Sequence, residues 1–150
     1  MKMRLVIQRV SQAKVTVNKK VVSQISKGFL VLLGIAQDDT EEKLDWLVKK
    51  LASLRIMADK KGKMNLGLKD VGGEVLVVSQ FTLLADCKKG NRPSFIKAAS
   101  PEKGKKYYNL FIEKLKAQGL KVQSGVFGAM MEVSLTNAGP VTIILHYSVK

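Results

Sequence analysis

The chain has 150 residues, 46% apolar and 25% charged, proportions that predict one globular domain over residues 1–150 and exclude a mainly disordered or collagen-like chain. A lone cysteine, Cys87, excludes a disulfide scaffold and fits a reducing, cytoplasmic location. The 26 Lys and Arg outnumber the 12 Asp and Glu, a net charge of +14, which suits a nucleic-acid partner and equally a lysine-rich solvated surface.

Met3–Val10 predicts a strand with Leu5 and Ile7 on one side and Val6, Gln8 and Val10 on the other. Ala13, Val15 and Val17 alternate in a second strand, and Asn18-Lys19-Lys20 turns into a third over Val21–Ile25. Gly28–Ala36 is continuously apolar, the pattern of a strand buried on both faces. Asp39-Thr40-Glu41-Glu42 starts a helix, with Asp39 or Thr40 as cap and acids suited to the first turn. Leu44, Leu47, Val48, Leu51 and Leu54 form its apolar stripe. Arg55-Ile56-Met57 reads as a short strand, Asp59–Gly62 as a polar turn and Glu74–Leu84 as a strong strand. After the basic loop Asp86–Pro93, Ser100-Pro101-Glu102 opens a second helix. Its stripe is Tyr108, Phe111, Ile112 and Leu115, and Gly119 stops it. Leu120–Gln123, Met130–Thr136 and Val141–Tyr147 are the last strands. The order predicts an α+β fold: a mostly antiparallel, barrel-like sheet of about seven strands with two helices.

The longest apolar run, Phe29–Ala36, falls far short of the ~20 residues that span a bilayer, so no membrane partner is expected. One cysteine and one histidine, His146, are too few for a zinc site; neither metal nor cofactor is expected.

Three segments fit poorly with plain structure. Ser79-Gln80-Phe81-Thr82-Leu83 closes an apolar run with three polar groups in four residues. Hydroxyls and an amide at the end of a rigid strand are placed to hold a carbonyl, and the local N–H groups to hold an oxyanion. Filling of strand positions is the bland alternative, and Thr82 would be a nucleophile only with a base beside it. Asn137-Ala138-Gly139-Pro140-Val141-Thr142 has the composition of a turn between strands, with Pro140 cis or trans. Lys88-Lys89-Gly90-Asn91-Arg92-Pro93-Ser94-Phe95 carries three cations and an aromatic, able to follow phosphates and stack on a base, or to be a solvated loop anchored by Phe95. Charge is concentrated there: residues 87–121 hold ten basic and two acidic residues. Phe127-Gly128-Ala129-Met130-Met131 reads first as core; Arg9 sits in an apolar strand, where a buried guanidinium would need a partner, or is an edge cation with its head in solvent.

Together these segments resemble the D-aminoacyl-tRNA deacylases, over essentially the whole chain. The likeness runs from Met3–Val10 through Gly28–Gly34 and Lys63-Met64-Asn65-Leu66, then Ser79–Leu83, Arg92-Pro93-Ser94-Phe95 and Asn137–Thr142. The resemblance implies a homodimeric enzyme that hydrolyses the ester between a D-amino acid and the 3′ end of tRNA, and that also removes mischarged glycine. It implies a pocket from Ser79, Gln80, Phe81 and Thr82 of one subunit and a cis Gly139-Pro140 of the other, whose carbonyls bar L side chains. It places the terminal adenosine at Phe127 and Met131, and gives Arg9 the support of the Gly-Pro segment. Ala138, Met57 and His146 depart from the family pattern without removing a pocket group. On the residues alone, a non-catalytic nucleic-acid binder and a small oligomeric structural protein are the competing readings.

Overall fold

The computed structural model describes residues 2–147. Arg4–Val17 is one 14-residue strand, β1, where two were expected. The polar pair Ser11-Gln12 looks like a break, yet the chain stays extended through irregularities in its pairing between Gln8 and Gln12. These shift the alternation. Leu5 and Ile7 point into one core, while Val10, Ala13 and Val15 point into another.

Asn18 and Lys19, both with positive φ, turn the chain into β2 (Lys20–Ile25), antiparallel to β1. β3 (Gly28–Gly34) runs antiparallel to the first half of β1 and is buried on both faces, as its composition predicts. α1 (Glu41–Ser53) is capped by the Thr40 hydroxyl, which accepts from the Lys43 N–H at 3.4 Å. Its Leu44, Leu47 and Leu51 are fully buried, each contributing about 1.5–3 kcal/mol by leaving water.

The expected strand Arg55–Met57 moves two residues on: β4 is Met57–Ala58, paired with β5 at Met64–Leu66. Arg55 instead forks onto Asn65, donating to its carbonyl and side-chain oxygens. A third helix, α2 (Leu68–Val71), follows; four residues with one buried side chain are too short to leave a periodic stripe. β6 is Glu74–Ser79, and the expected strand to Leu84 stops there, because Phe81–Leu84 winds into a 3-10 turn. α3 (Pro101–Ala117) has the predicted Ser100 cap and buries Tyr108, Phe111, Ile112 and Leu115. β7 (Lys121–Ser124) and β8 (Glu132–His146) complete the fold. Met130–Thr136 and Val141–Tyr147 are thus largely one long strand.

The main sheet runs β2-β1-β3-β6-β7, with β8 on the other edge of β1. It is mixed: the pairings of β1 with β2, β3 and β8 are antiparallel, as expected, whereas β3, β6 and β7 run parallel because helical crossovers join them. α1 and α3 cover one face, over Phe29, Val31, Leu33, Val75 and Val77. The other face curls inward around Leu30, Leu76 and Val78, and β2 comes back against β6 and β7, nearly closing a barrel. At the start of β3, Gly28 is obligatory: a Cβ there would lie 1.8 Å from the Glu74 carbonyl oxygen.

Candidate active site

Three parallel strands end on one edge of the sheet, and carboxyl edges of parallel strands are where loops can build a site. β3 ends in Gly34, β6 in Ser79 and β7 in Ser124. From β6 the Gln80 N–H donates to Leu33 O at 2.8 Å, fixing the exit direction. The 3-10 turn then packs on β3 so closely that a Cβ on Gly34 would lie 2.6 Å from Leu84 and 3.1 Å from Gln80 O. Phe81 and Thr82 open this turn, and the first amides of such a turn have no acceptor within it. The Gln80 side-chain amide donates to the Thr82 hydroxyl, which leaves the hydroxyl's own proton available. Phe81 is 55% exposed, an unusual setting for a phenyl ring, and meets Phe95 edge-on at 5.2 Å between centroids.

The residues after β7 arrive at the same edge. The Gly125 N–H donates to Val77 O at 3.0 Å. Phe127 is half-buried, tilted against Tyr108 with centroids 5.8 Å apart, and Met131 crowds Gly125, whose Cβ would lie 2.7 Å from the Met131 sulfur. Phe127 and Met131 therefore flank the β6–β7 end, as Ser79–Thr82 do from the other side.

Two groups that the sequence gives no functional signal for brace this edge. The Tyr108 hydroxyl donates to Val77 O at 3.0 Å and sits 3.3 Å from Gly125 O; burial raises its pKa above the ordinary tyrosine value. Asp39, expected as a possible helix cap, is instead buried, accepting from the N–H groups of Ala36 (2.6 Å) and Met3 (3.2 Å). Burial outweighs those bonds and raises its carboxyl pKa. It ties the chain beyond β3 to the start of β1.

Gly139 and Pro140 lie elsewhere. The Asn137–Thr142 segment is no turn between strands but a distortion inside β8, with the Gly139-Pro140 peptide cis. Gln8 faces Thr142 and Val10 faces Asn137, so four residues, Ala138–Val141, face Arg9 alone. The bulge is held internally and from below. Asn137 Oδ1 accepts from the Val141 N–H at 2.8 Å, and its amide donates to the Thr142 hydroxyl at 3.0 Å. Arg9 is no solvated edge cation: Nε donates to Ala138 O (2.9 Å) and Nη1 to Ile56 O (2.8 Å). Beside it lies a hollow of about 360 Å³ lined by Arg9, Lys27, Met57, Ala58, Val71 and Gly139 among others, and by none of Ser79–Thr82. Within one chain the two candidate halves are thus separate. His146 is exposed on β8, opposite Arg4. No group of three or more His, Cys, Asp or Glu with metal-binding geometry occurs among the described residues, and no helix there is long and apolar enough to cross a membrane.

Comparison with known proteins adds the following. The sequence model of a family described as D-Tyr-tRNA(Tyr) deacylase matches residues 6–146. A "D-aminoacyl-tRNA deacylase" of Thermotoga petrophila is 57% identical, over 97% of this chain and 98% of that protein. One from Thermus aquaticus is 55% identical over 99% and 97%. Among solved structures, a "c-Myc DNA Unwinding Element Binding Protein" superposes with a TM-score of 0.90 at 41% identity, covering 97% of this chain and 99% of that one. A "probable eukaryotic D-amino acid tRNA deacylase" superposes at 0.86 with 20% identity, over 98% and 100% of the two chains, a likeness of fold.

Proposed function

The chain belongs to the D-Tyr-tRNA(Tyr) deacylase family, and from that premise we propose that it hydrolyses the ester joining a D-amino acid to the 3′ end of tRNA. The observation that carries this reading is the polar turn Ser79–Thr82 at the carboxyl edge of β3, β6 and β7. An ester carbonyl set against the amides of Phe81 and Thr82 would have its developing oxyanion met by two fixed donors. Water attacks the carbonyl carbon, the bond to the ribose oxygen breaks, and that oxygen takes a proton; the neighbouring ribose 2′-hydroxyl helps orient the water. Thr82 positions rather than attacks, because its hydroxyl is bonded to the Gln80 amide and to no base among the described residues. Ser79 and Gln80 shape the cradle, and Phe127 and Met131 take the terminal adenosine.

Chirality is read by a carbonyl wall at Gly139-Pro140, which Arg9 supports through Ala138 O. Such a wall clashes with any L side chain and with no D side chain, and it has nothing to act on in glycine, so mischarged glycyl-tRNA is also a substrate. The wall comes from a second copy, a reading supported by the hollow beside Gly139, which none of Ser79–Thr82 lines. β8 supports a homodimer: it is a 15-residue edge strand whose Ile144 is 66% exposed, a surface that seeks a partner. The whole chain acts as one domain, in the cytoplasm where charged tRNA is found.

The test is release of amino acid from D-Tyr-tRNA and L-Tyr-tRNA by catalytic amounts of protein. Release of D-Tyr with L-Tyr-tRNA intact is expected; release of neither refutes the enzyme. In that event the net charge of +14 and the DNA-element-binding name of the 41%-identical protein favour a nucleic-acid binder without turnover, which a duplex-DNA binding titration would read directly.

A further inference from the structure

The basic loop beside Phe81 is absorbed by none of these roles. It leaves the turn as a narrow excursion: Asp86 and Ser94 exchange backbone hydrogen bonds at 2.8 and 2.9 Å and close its base. Every residue from Cys87 to Ser94 is exposed, and Gly90 bends the tip with a φ of +69°. Lys88, Lys89 and Arg92 sit on that tip, and none forms an ion pair among the described residues, where only Lys114 does. Three unneutralised cations thus stand on an exposed tip that reaches at most about 13 Å from its base. The base is fixed to the candidate site, because Phe95, the next residue after Ser94, packs edge-on against Phe81.

We propose that Lys88, Lys89 and Arg92 grip the phosphates of the tRNA acceptor end just upstream of the terminal adenosine, and that this loop supplies a large share of the affinity for tRNA. The inference rests on the deacylase reading for which end of the RNA is seated. The chemistry follows from charge and place. A 3′-terminal ester held at Phe81 trails its phosphodiester chain away from the cradle, and this tip, whose base is fixed beside Phe81 through Phe95, presents three exposed cations to it. Arg92 can bind a phosphate through two parallel N–H donors, whereas the lysines act as point charges on longer stems. Because no side chain of the three holds the fold together, the loop can adapt to the duplex or single-stranded part of the acceptor end.

The experiment compares the protein with a Lys88→Gln, Lys89→Gln, Arg92→Gln triple variant. A control, Lys14→Gln, Lys19→Gln, Lys20→Gln, removes the same charge at the other end of β1. Binding of uncharged tRNA is measured against salt, and turnover is measured on D-Tyr-tRNA and on the D-tyrosyl ester of adenosine, which lacks the phosphates. The loop variant should lose about 2–3 from the slope of log affinity against log salt. Its deficit relative to the parent should therefore be about 15- to 60-fold larger in 50 mM than in 200 mM salt. Its KM for D-Tyr-tRNA should rise with kcat kept, and cleavage of the adenosine ester should be unchanged. A loop variant with the parent's salt slope, or a control that loses as much, overturns the proposal. Failure of the unaltered protein to cleave either ester refutes the deacylase reading instead, while the binding arm still reports on the loop.

Discussion

Replacing Gly139 with alanine probes the proposed wall and its support at once. Gly139 has a φ of +135°, a conformation costing an L residue about 1–3 kcal/mol. The new Cβ would also lie 2.9 Å from Arg9 Nη2, 2.9 Å from Val141 Cγ2 and 3.2 Å from the Val141 backbone nitrogen. The backbone contact cannot be relieved by a side-chain rotation. Arg9 can move only by giving up its bond to Ala138 O or Ile56 O, and a hydrogen bond from a charged donor contributes about 1.5–3 kcal/mol. The expected loss is about 2–5 kcal/mol, or about 4–20 °C in Tm for a chain of this size. Thermal unfolding followed by circular dichroism reads it. Displacement of the wall should also let L-Tyr-tRNA in, raising its hydrolysis by at least about tenfold, the equivalent of about 1.4 kcal/mol in the barrier. A Tm within about 2 °C of the parent, with L-Tyr-tRNA still resistant, would show that the segment is neither clamped nor selective and would refute the reasoning.

Asp39→Asn should cost about 1–3 kcal/mol in urea unfolding, because an amide cannot accept with both of its heavy atoms from Ala36 and Met3. Burial raises the Asp39 carboxyl above 3.8, so its stabilising contribution is full below that value and is lost as pH rises through the raised folded pKa; the variant should lack this segment of the pH–stability curve. Thr82→Ala should reduce kcat by less than about 100-fold, the low end for losing an oxyanion donor, with no burst of covalent acyl-enzyme in the parent; loss of all turnover would make Thr82 the nucleophile. Gly28→Ala should fail to fold, since its Cβ would meet the Glu74 carbonyl at 1.8 Å; a native circular-dichroism spectrum would contradict the tight β3–β6 junction.

What the sequence discloses and what it hides divide along physical lines. β3 is legible because an apolar run of its length has no reading but a doubly buried strand, and the α1 and α3 stripes because one face of each helix is buried. The parallel pairing of β3, β6 and β7 is not, since side-chain patterns report faces and not neighbours. The 3-10 turn is masked because Phe81 and Leu83 extend the alternation of β6 while the chain has already begun to wind. In β8 the error is the reverse: Asn137, Gly139 and Pro140 carry turn chemistry, but pairing with β1 on both sides holds them inside a strand as a bulge. The polar cluster at Ser79–Thr82 stands out because polar groups interrupt an apolar run. Arg9 and Asp39 hide because what fixes them, Ala138 O and Ile56 O, Ala36 N–H and Met3 N–H, is backbone, mostly from remote segments.

The separation of the proposed cradle and wall makes the proposed second copy testable through function. Arg4, whose guanidinium reaches Leu83 O, and Arg9, which holds the bulge, are five residues apart on β1, about 17 Å of strand. A single ester carbon in one chain cannot touch both ends. Phe81→Pro removes one of the two amide donors while fitting the first position of the turn, so it should lower hydrolysis by about 10²–10³ with the wall intact. The Gly139→Ala chain keeps its cradle and loses its wall. When these two variants exchange subunits, each mixed dimer has one complete site, built from the Gly139→Ala cradle and the Phe81→Pro wall. An excess of the Phe81→Pro chain should therefore suppress hydrolysis of L-Tyr-tRNA by the Gly139→Ala chain while leaving its D-Tyr-tRNA hydrolysis intact. If wall and cradle acted within one chain, added Phe81→Pro protein would leave L-Tyr-tRNA hydrolysis untouched, and the shared site would be refuted even if the protein sedimented as a dimer.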